Sequence, residues 1–337
     1  MRKDGMRTAV VAYDGVSGLL KCTPHANQHD NEVNALNTIK KSYIDDYEDS
    51  PFAKKKHDLT VPEILTTFKT NDGYHCLITE IFRGFSLREY MPLVSDDLKD
   101  AFTAHYVNSI ARAIDSLHTK GFTHGNITPD TVYLQPQGKF DDLRVILTDF
   151  EGSQVIPEEL RIWIGGQESQ SPLPSIIKPR GYCPPEDYTE PKVDQRMRDS
   201  WMFGATLYYM TNGHSPYGDA YIESFKAMFP VPAEELQKTM EQVARTGKNS
   251  FPPMKTKNSA LLKEAMRLME PRPQNRADIR DLALKDVSDF RHFVDKYYGV
   301  AWDYLKSNLP IVGTPSWDVE PPEYERVEDT TTRYKRP

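Results

Sequence analysis

Hydrophobic positions divide this chain into two textures. Residues 7–13 alternate and are rich in Val and Ala, Asp14-Gly15 then supplies a turn signal, and residues 19–22 resume an extended run. A period of two broken by Asp-Gly predicts a β-hairpin. Val33, Leu36 and Ile39 recur at helical spacing and predict a helix over residues 31–44, followed by a polar loop over residues 45–58. Residues 65–69 and 75–82 flank Asn71-Asp72-Gly73 and predict a second hairpin. Beyond residue 82 the period lengthens. Val107, Ile110, Ile114 and Leu117 mark a long amphipathic helix ending near Gly121. Short strands are predicted at residues 132–134 and 145–147. Residues 201–209 are apolar on nearly every side, which predicts a helix buried all round. Further helices are predicted over residues 261–269, 279–284 and 290–305. Residues 310–337, rich in Pro, Glu, Thr and Tyr, read as a tail. The chain shows no internal repeats.

Composition narrows the function classes. The 337 residues are 38% hydrophobic and 27% charged, the balance of a globular chain. No run approaches the roughly 20 apolar residues of a membrane helix. A net charge of −7 argues against nucleic acid as a partner, and Lys54-Lys55-Lys56 reads as a solvated loop. The residues after Met1 carry no apolar core, so no signal peptide is visible and a cytoplasmic location is favoured. Cys22, Cys76 and Cys183 are odd in number, scattered, and without metal-ligand spacing. They are expected to be free thiols in a reducing compartment.

The candidate chemistry lies at residues 123–131, Thr-His-Gly-Asn-Ile-Thr-Pro-Asp-Thr. This stretch resembles the H-R-D-L-K-P-E-N catalytic loop of protein kinases. In that family the Asp takes the proton of the substrate hydroxyl and the Asn holds metal. Asn126 stands at the Asp position, Thr128 at the Lys position and Thr131 at the metal-binding Asn position. An amide has no basic lone pair near neutral pH; it orients a hydroxyl but does not deprotonate it.

An ordered series of further motifs extends the resemblance to the eukaryotic-type protein kinase superfamily over residues 7–295. Lys21 resembles the third-strand lysine and Glu32 the helix glutamate that pairs with it, although 11 positions is a short separation for the family. Residues 77–82 resemble the hinge, with Thr79 as gatekeeper and Glu80 and Phe82 facing the nucleotide. Gly84-Phe85-Ser86-Leu87 begins the next helix. Asp149-Phe150-Glu151 is similar to D-F-G with its Gly replaced. Glu186 ends an A-P-E-like stretch, Asp199 opens D-x-W-x-x-G, and Arg276 resembles the arginine that pairs with Glu186. The resemblance implies an α+β, bilobal fold: a small antiparallel β-sheet lobe with one helix over residues 1–82, and a larger, mainly helical lobe over residues 83–305. A tail follows at residues 306–337.

With His124, the architectural positions Glu186, Asp199 and Arg276 are kept, and the losses fall on chemistry. No G-x-G-x-x-G precedes Lys21, and Gly15 and Gly18 read as turn glycines. Gly125 replaces the loop arginine, so a phosphorylated activation segment lacks its usual cationic partner. Glu151 has three readings: a solvated carboxylate, a partner of Lys21 filling the nucleotide cleft, or a replacement metal ligand. The chain is identified as a catalytically degenerate member of the superfamily, a pseudokinase with no catalytic residue of the usual kind. It is expected to act as a non-catalytic binding, scaffold or allosteric module. Its partner is expected to be a protein, an active kinase or its substrate. The activation segment, residues 149–186 with Trp163 and Gly165-Gly166, is a candidate docking surface. One alternative is a residual nucleotide binder with a vestigial cleft formed by Lys21, Glu32, Glu80, Phe82 and Asp149. It would require no cofactor but would hold ATP weakly, with Mg or Mn on Asp149. Another is an unconventional transferase using Asp130 or Glu151 as base.

Overall fold

The computed structural model describes residues 5–48, 60–81, 84–136, 143–156 and 177–285. The N-terminal part is a four-stranded antiparallel sheet, in spatial order β1 (Arg7–Tyr13), β2 (Val16–Thr23), β4 (His75–Glu80) and β3 (Ile64–Lys69). Helix α1 (Ala26–Glu48) lies between β2 and β3 in the chain and packs on the sheet through Ala35, Leu36 and Ile39. The β1–β2 turn has positive φ at both Asp14 (48°) and Gly15 (80°), as a tight two-residue hairpin requires. Gly18 is not a turn residue. It sits inside β2, where a Cβ would lie 2.5 Å from Ile78 Cγ2 on the neighbouring strand, so packing rather than dihedral freedom selects it.

The larger part is helical. A short three-stranded sheet, β5 (Phe85–Ser86), β7 (Val132–Pro136) and β8 (Leu143–Leu147), lies next to the cleft, and β6 (Phe122–Thr123) pairs with β9 (Gln154–Val155). Helix α2 (Leu87–Tyr90) starts at a capping box made by Ser86 and Glu89. Two long helices form the core: α3 (Lys99–Thr119) and, after the short α4 (Glu186–Thr189), α5 (Gln195–Asn212). Every side of α5 is buried, as its continuous apolar run predicts. Asp194 caps its N-terminus by accepting from the Arg196 and Met197 amides, and Gly213 ends it at φ 80°.

Helices α6 (Ala233–Thr246), α7 (Ser259–Leu268) and α8 (Ile279–Ala283) complete this part, with a β10–β11 hairpin (Asp219–Ile222 and Ala227–Pro230) before α6. The sheet-rich and helix-rich halves are the α+β bilobal arrangement the resemblance implies.

Several expectations change at the element scale. Helix α1 runs through residues 45–48, assigned above to a loop, because helical periodicity gives way to polar residues without a breaker. Helix α6 was not anticipated, although Leu236, Met240 and Val243 recur at helical spacing and are its buried face. The expected helix at 290–305, the tail, Phe82 and Trp163 lie outside the described residues.

The cysteine expectation is corrected. Cys22 and Cys76 face each other across the β2–β4 register, their Cα atoms 4.1 Å apart, and form a disulfide; Cys183 is the free, buried thiol. Directly opposed positions on adjacent antiparallel strands bring side chains together whatever their distance in sequence. Scattered spacing therefore carried no information about pairing here.

Candidate functional site

The cleft between the sheet and the helical part is a cavity of about 350 Å³. Val10, Leu19, Leu77 and Ile81 give it apolar walls, and Lys21, Glu32 and Asp149 line its polar end. Strand β2 delivers Lys21 and helix α1 delivers Glu32, while Asp149 follows β8. Lys21 Nζ lies 2.8 Å from Glu32, 2.9 Å from Asp149 and 3.1 Å from Glu151. One ammonium thus sits among three carboxylates. Burial works to lower the Lys21 pKa, but Glu32, Asp149 and Glu151 together hold it well above the usual lysine range.

Glu32 does double duty. Its Oε2 meets Lys21 and its Oε1 accepts from the Phe150 amide at 3.3 Å, tying α1 to the segment after β8. Asp149 is held at φ 61°, ψ 62°, a left-handed conformation that costs a non-glycine residue roughly 1–3 kcal/mol unless its surroundings fix it. The Lys21 contact at 2.9 Å contributes to that fixing. Glu151 is buried at 6% exposure, which removes its solvated reading. Burial pushes its carboxyl up from the usual range, against the pull of Lys21 and helped by the neighbouring Asp149 and Glu32.

Thr79 and Glu80, the positions that resemble a hinge, end β4. Thr79 is buried, and the Glu80 side chain accepts from the Glu63 amide at 3.1 Å while the Glu80 amide donates to the Glu63 carbonyl.

The loop over residues 123–131 is fixed by its own hydrogen bonds and by α5. Asp199, fully buried, accepts from the His124 and Gly125 amides at 2.8 Å each and bonds the His118 ring at 2.9 Å. Burial alone would raise the Asp199 pKa; the His118 and His124 contacts hold it below the usual carboxylate range. His124 packs on Phe150 with ring centroids 4.7 Å apart, and its Nδ1 accepts from the Asn126 amide. Burial lowers the His124 pKa to about 4, with Asp199 opposing.

Asn126 is 9% exposed, and its carbonyl accepts from the Thr131 hydroxyl at 2.8 Å. The same hydroxyl accepts from the Thr128 amide at 3.0 Å. Thr131 therefore closes the loop on itself. Asp130, one of the two candidate alternative bases, is exposed and held in an ion pair with Arg88 at 3.0 Å.

Gly125 has φ 74°, and a Cβ there would lie 2.1 Å from the Gly152 carbonyl oxygen. The segment after Asp149 occupies the space that any side chain at position 125, an arginine included, would enter.

A match to the family of the protein kinase domain covers residues 18–287, well over half of the chain. The chain belongs to the protein kinase family. Named kinases from several organisms are similar to parts of it. Serine/threonine-protein kinase PKH1 of Saccharomyces cerevisiae is 30% identical over 123 residues, 36% of this chain and 15% of the relative. Human 3-phosphoinositide-dependent protein kinase 1 is 22% identical over 197 residues, 56% of this chain and 33% of the relative. Flippase kinase 1 of Saccharomyces cerevisiae is 24% identical over 236 residues, 61% and 25%. The chain spans well under half the length of these curated relatives.

The contacts of the positions read as architectural close on α5. Arg276 forks onto Glu186 with bonds of 2.6 and 2.9 Å, and its guanidinium stacks over Trp201 at 5.1 Å. A second buried pair was not anticipated from sequence. Arg198, fully buried, donates to Asp187 at 2.7 Å and to the Gly125 carbonyl at 2.7 Å, so it braces the loop over residues 123–131. Arg198 lies among the polar residues that open α5, beside Arg196 and Asp199 and before the apolar run, so no residue pattern set it apart. Among the described residues, no helix is long and apolar enough to cross a membrane.

Proposed function

We propose that this kinase-family domain is a pseudokinase: a binding or allosteric module that presents a kinase-shaped surface to a protein partner and transfers no phosphate. The observation that carries this reading is Asn126, an amide at the position of the proton acceptor, in a loop whose Thr131 hydroxyl is committed to the loop's own backbone. Loss of a general base typically costs about 10²- to 10⁴-fold, roughly 3 to 5 kcal/mol of barrier. Thr131, at the metal-ligand position, has its hydroxyl committed to the Asn126 carbonyl and the Thr128 amide. Phosphoryl transfer depends mainly on positioning and charge stabilisation, so these losses compound.

The polar end of the cleft does not suit a nucleoside triphosphate. Lys21, the residue that would meet phosphate, is already surrounded by three carboxylates, and a polyanion brought there meets a net negative cluster. The apolar end still suits a flat ring. On this reading neither ATP nor Mg or Mn is required, and Asp149 serves Lys21 rather than a metal. Glu151 and Asp130 are each held by a cation, which disfavours the transferase alternative.

Incubation of the purified chain with labelled ATP, Mg or Mn and generic acceptor peptides tests the proposal. The expected result is no phosphate or nucleotide transfer above the protein-free background. Turnover within the kinase range of about 1–100 per second, lost on Asn126→Ala, contradicts it.

A further inference from the structure

We infer that the first turns of α1 and the start of β4 form a binding site for one zinc-class divalent cation, with His29, Asp30 and His75 as ligands. The ligand atoms of these three side chains lie within 4.8 Å of one another. His29 Nε2 is 3.3 Å from the Cys76 carbonyl oxygen. A carbonyl only accepts, so Nε2 carries the hydrogen and Nδ1 of the neutral ring keeps its lone pair. That Nδ1 faces Asp30 Oδ1 at 3.0 Å. A cation at this point is within reach of both atoms. A cation accounts for the pair and for the second imidazole, His75, whose ring centroid is 5.5 Å from that of His29.

The donor set is the right kind. Two imidazoles and a carboxylate, with a fourth position open to solvent, is a zinc arrangement. A metal-bound histidine whose other N–H is held by a backbone carbonyl is the usual way its orientation is fixed. Zinc bonds of about 2.0–2.1 Å place tetrahedral ligand atoms roughly 3.3 Å apart, near the 3.0 Å of the His29–Asp30 pair and inside the 4.8 Å that spans all three. Asp30 is 63% exposed and free to swing, whereas His29, at 11%, is already set.

The site joins two elements. His29 and Asp30 belong to α1 and His75 to β4, and Glu32 follows one helical turn after His29. A cation here pins the helix that carries Glu32 to the sheet that carries Lys21, and so holds their 2.8 Å contact closed.

The test uses the full chain, stripped with a chelator, exchanged into metal-free buffer and titrated with Zn²⁺ against a chromophoric competitor. One Zn²⁺ per chain is expected, with a Zn-dependent rise in melting temperature and a visible absorption band when Co²⁺ replaces it. His75→Gln should abolish binding, Asp30→Asn should weaken it by more than about tenfold, and His25→Gln, an exposed neighbour, should leave it unchanged. Asp30→Asn changes an exposed side chain and so reports on binding even where the histidine variant folds poorly. Absence of stoichiometric zinc, or equal binding by wild type, Asp30→Asn and His75→Gln, overturns the inference.

Discussion

At the scale of single residues, the site is governed by what burial does to charge. Lys21 and Glu151 are both buried, and each makes the other tolerable: the ammonium offsets part of the desolvation of the carboxylate. Glu151 was the residue whose role the sequence left open, because a carboxylate after Asp-Phe reads the same whether it faces water, a cation or a lysine. Only the left-handed turn at Asp149 aims it at Lys21.

His124 carries a prediction of its own. Its pKa falls from 6.5 unfolded to about 4 in the folded chain. The unfolded state therefore binds the proton first, and stability is lost as pH falls from 6.5 towards 4. At pH 5 the loss from this group is about 2 kcal/mol. Urea unfolding at pH 7 and pH 5 should show a smaller pH-dependent loss for His124→Asn than for the wild type by about that amount. Equal losses would show that His124 does not stay neutral in the fold.

At the scale of elements, the loop at 123–131 and the turn at 150–152 are one unit held by backbone approach. Gly125 and Gly152 touch, and Asp199 and Arg198 of α5 hold the loop through its amides and a carbonyl. Replacing Gly125 by Ala adds steric conflict to an unfavourable φ and should cost well over about 1 kcal/mol. Gly73→Ala is the matched control, since Gly73 has φ 88° with nothing within 4 Å of the added Cβ. Denaturation midpoints should fall further for Gly125→Ala than for Gly73→Ala. Equal falls would mean that the close approach to Gly152 carries no weight.

Motif order made this unit legible in part: His124, Asp149, Glu186, Asp199 and Arg276 were read from neighbouring residues of fixed type. The Arg198–Asp187 brace was not, because its significance lies in the Gly125 carbonyl, which no side-chain pattern encodes.

At the scale of the whole molecule, periodicity exposed most of the fold. The hairpins and α3 follow from periods of two and from helical spacing, and α5 from its continuous apolar run. What it did not expose depends on register between distant strands. Gly18 is small because Ile78 crosses it, and Cys22 meets Cys76 because β2 pairs with β4 across 54 positions of sequence. A covalent link closing a loop of that length contributes roughly 4 kcal/mol by the loop-entropy relation. Cys22→Ser with Cys76→Ser should lower stability by about that much. Alkylation of the unreduced, denatured chain should modify Cys183 alone. Modification of all three cysteines would return them to the free-thiol reading and remove the constraint on the sheet.

Beside Asn126, the account rests on carboxylates, Glu151 among them, taking the place of phosphate at Lys21. Thermal melts of the wild type and of Glu151→Gly, each titrated with ATP to millimolar concentration with and without Mg or Mn, address it directly. A ligand that binds the fold raises its melting temperature as its concentration exceeds the dissociation constant. The expected outcome is no shift for the wild type and a nucleotide-dependent shift for Glu151→Gly. A saturating shift of the wild type, equal to that of the variant, would contradict the account.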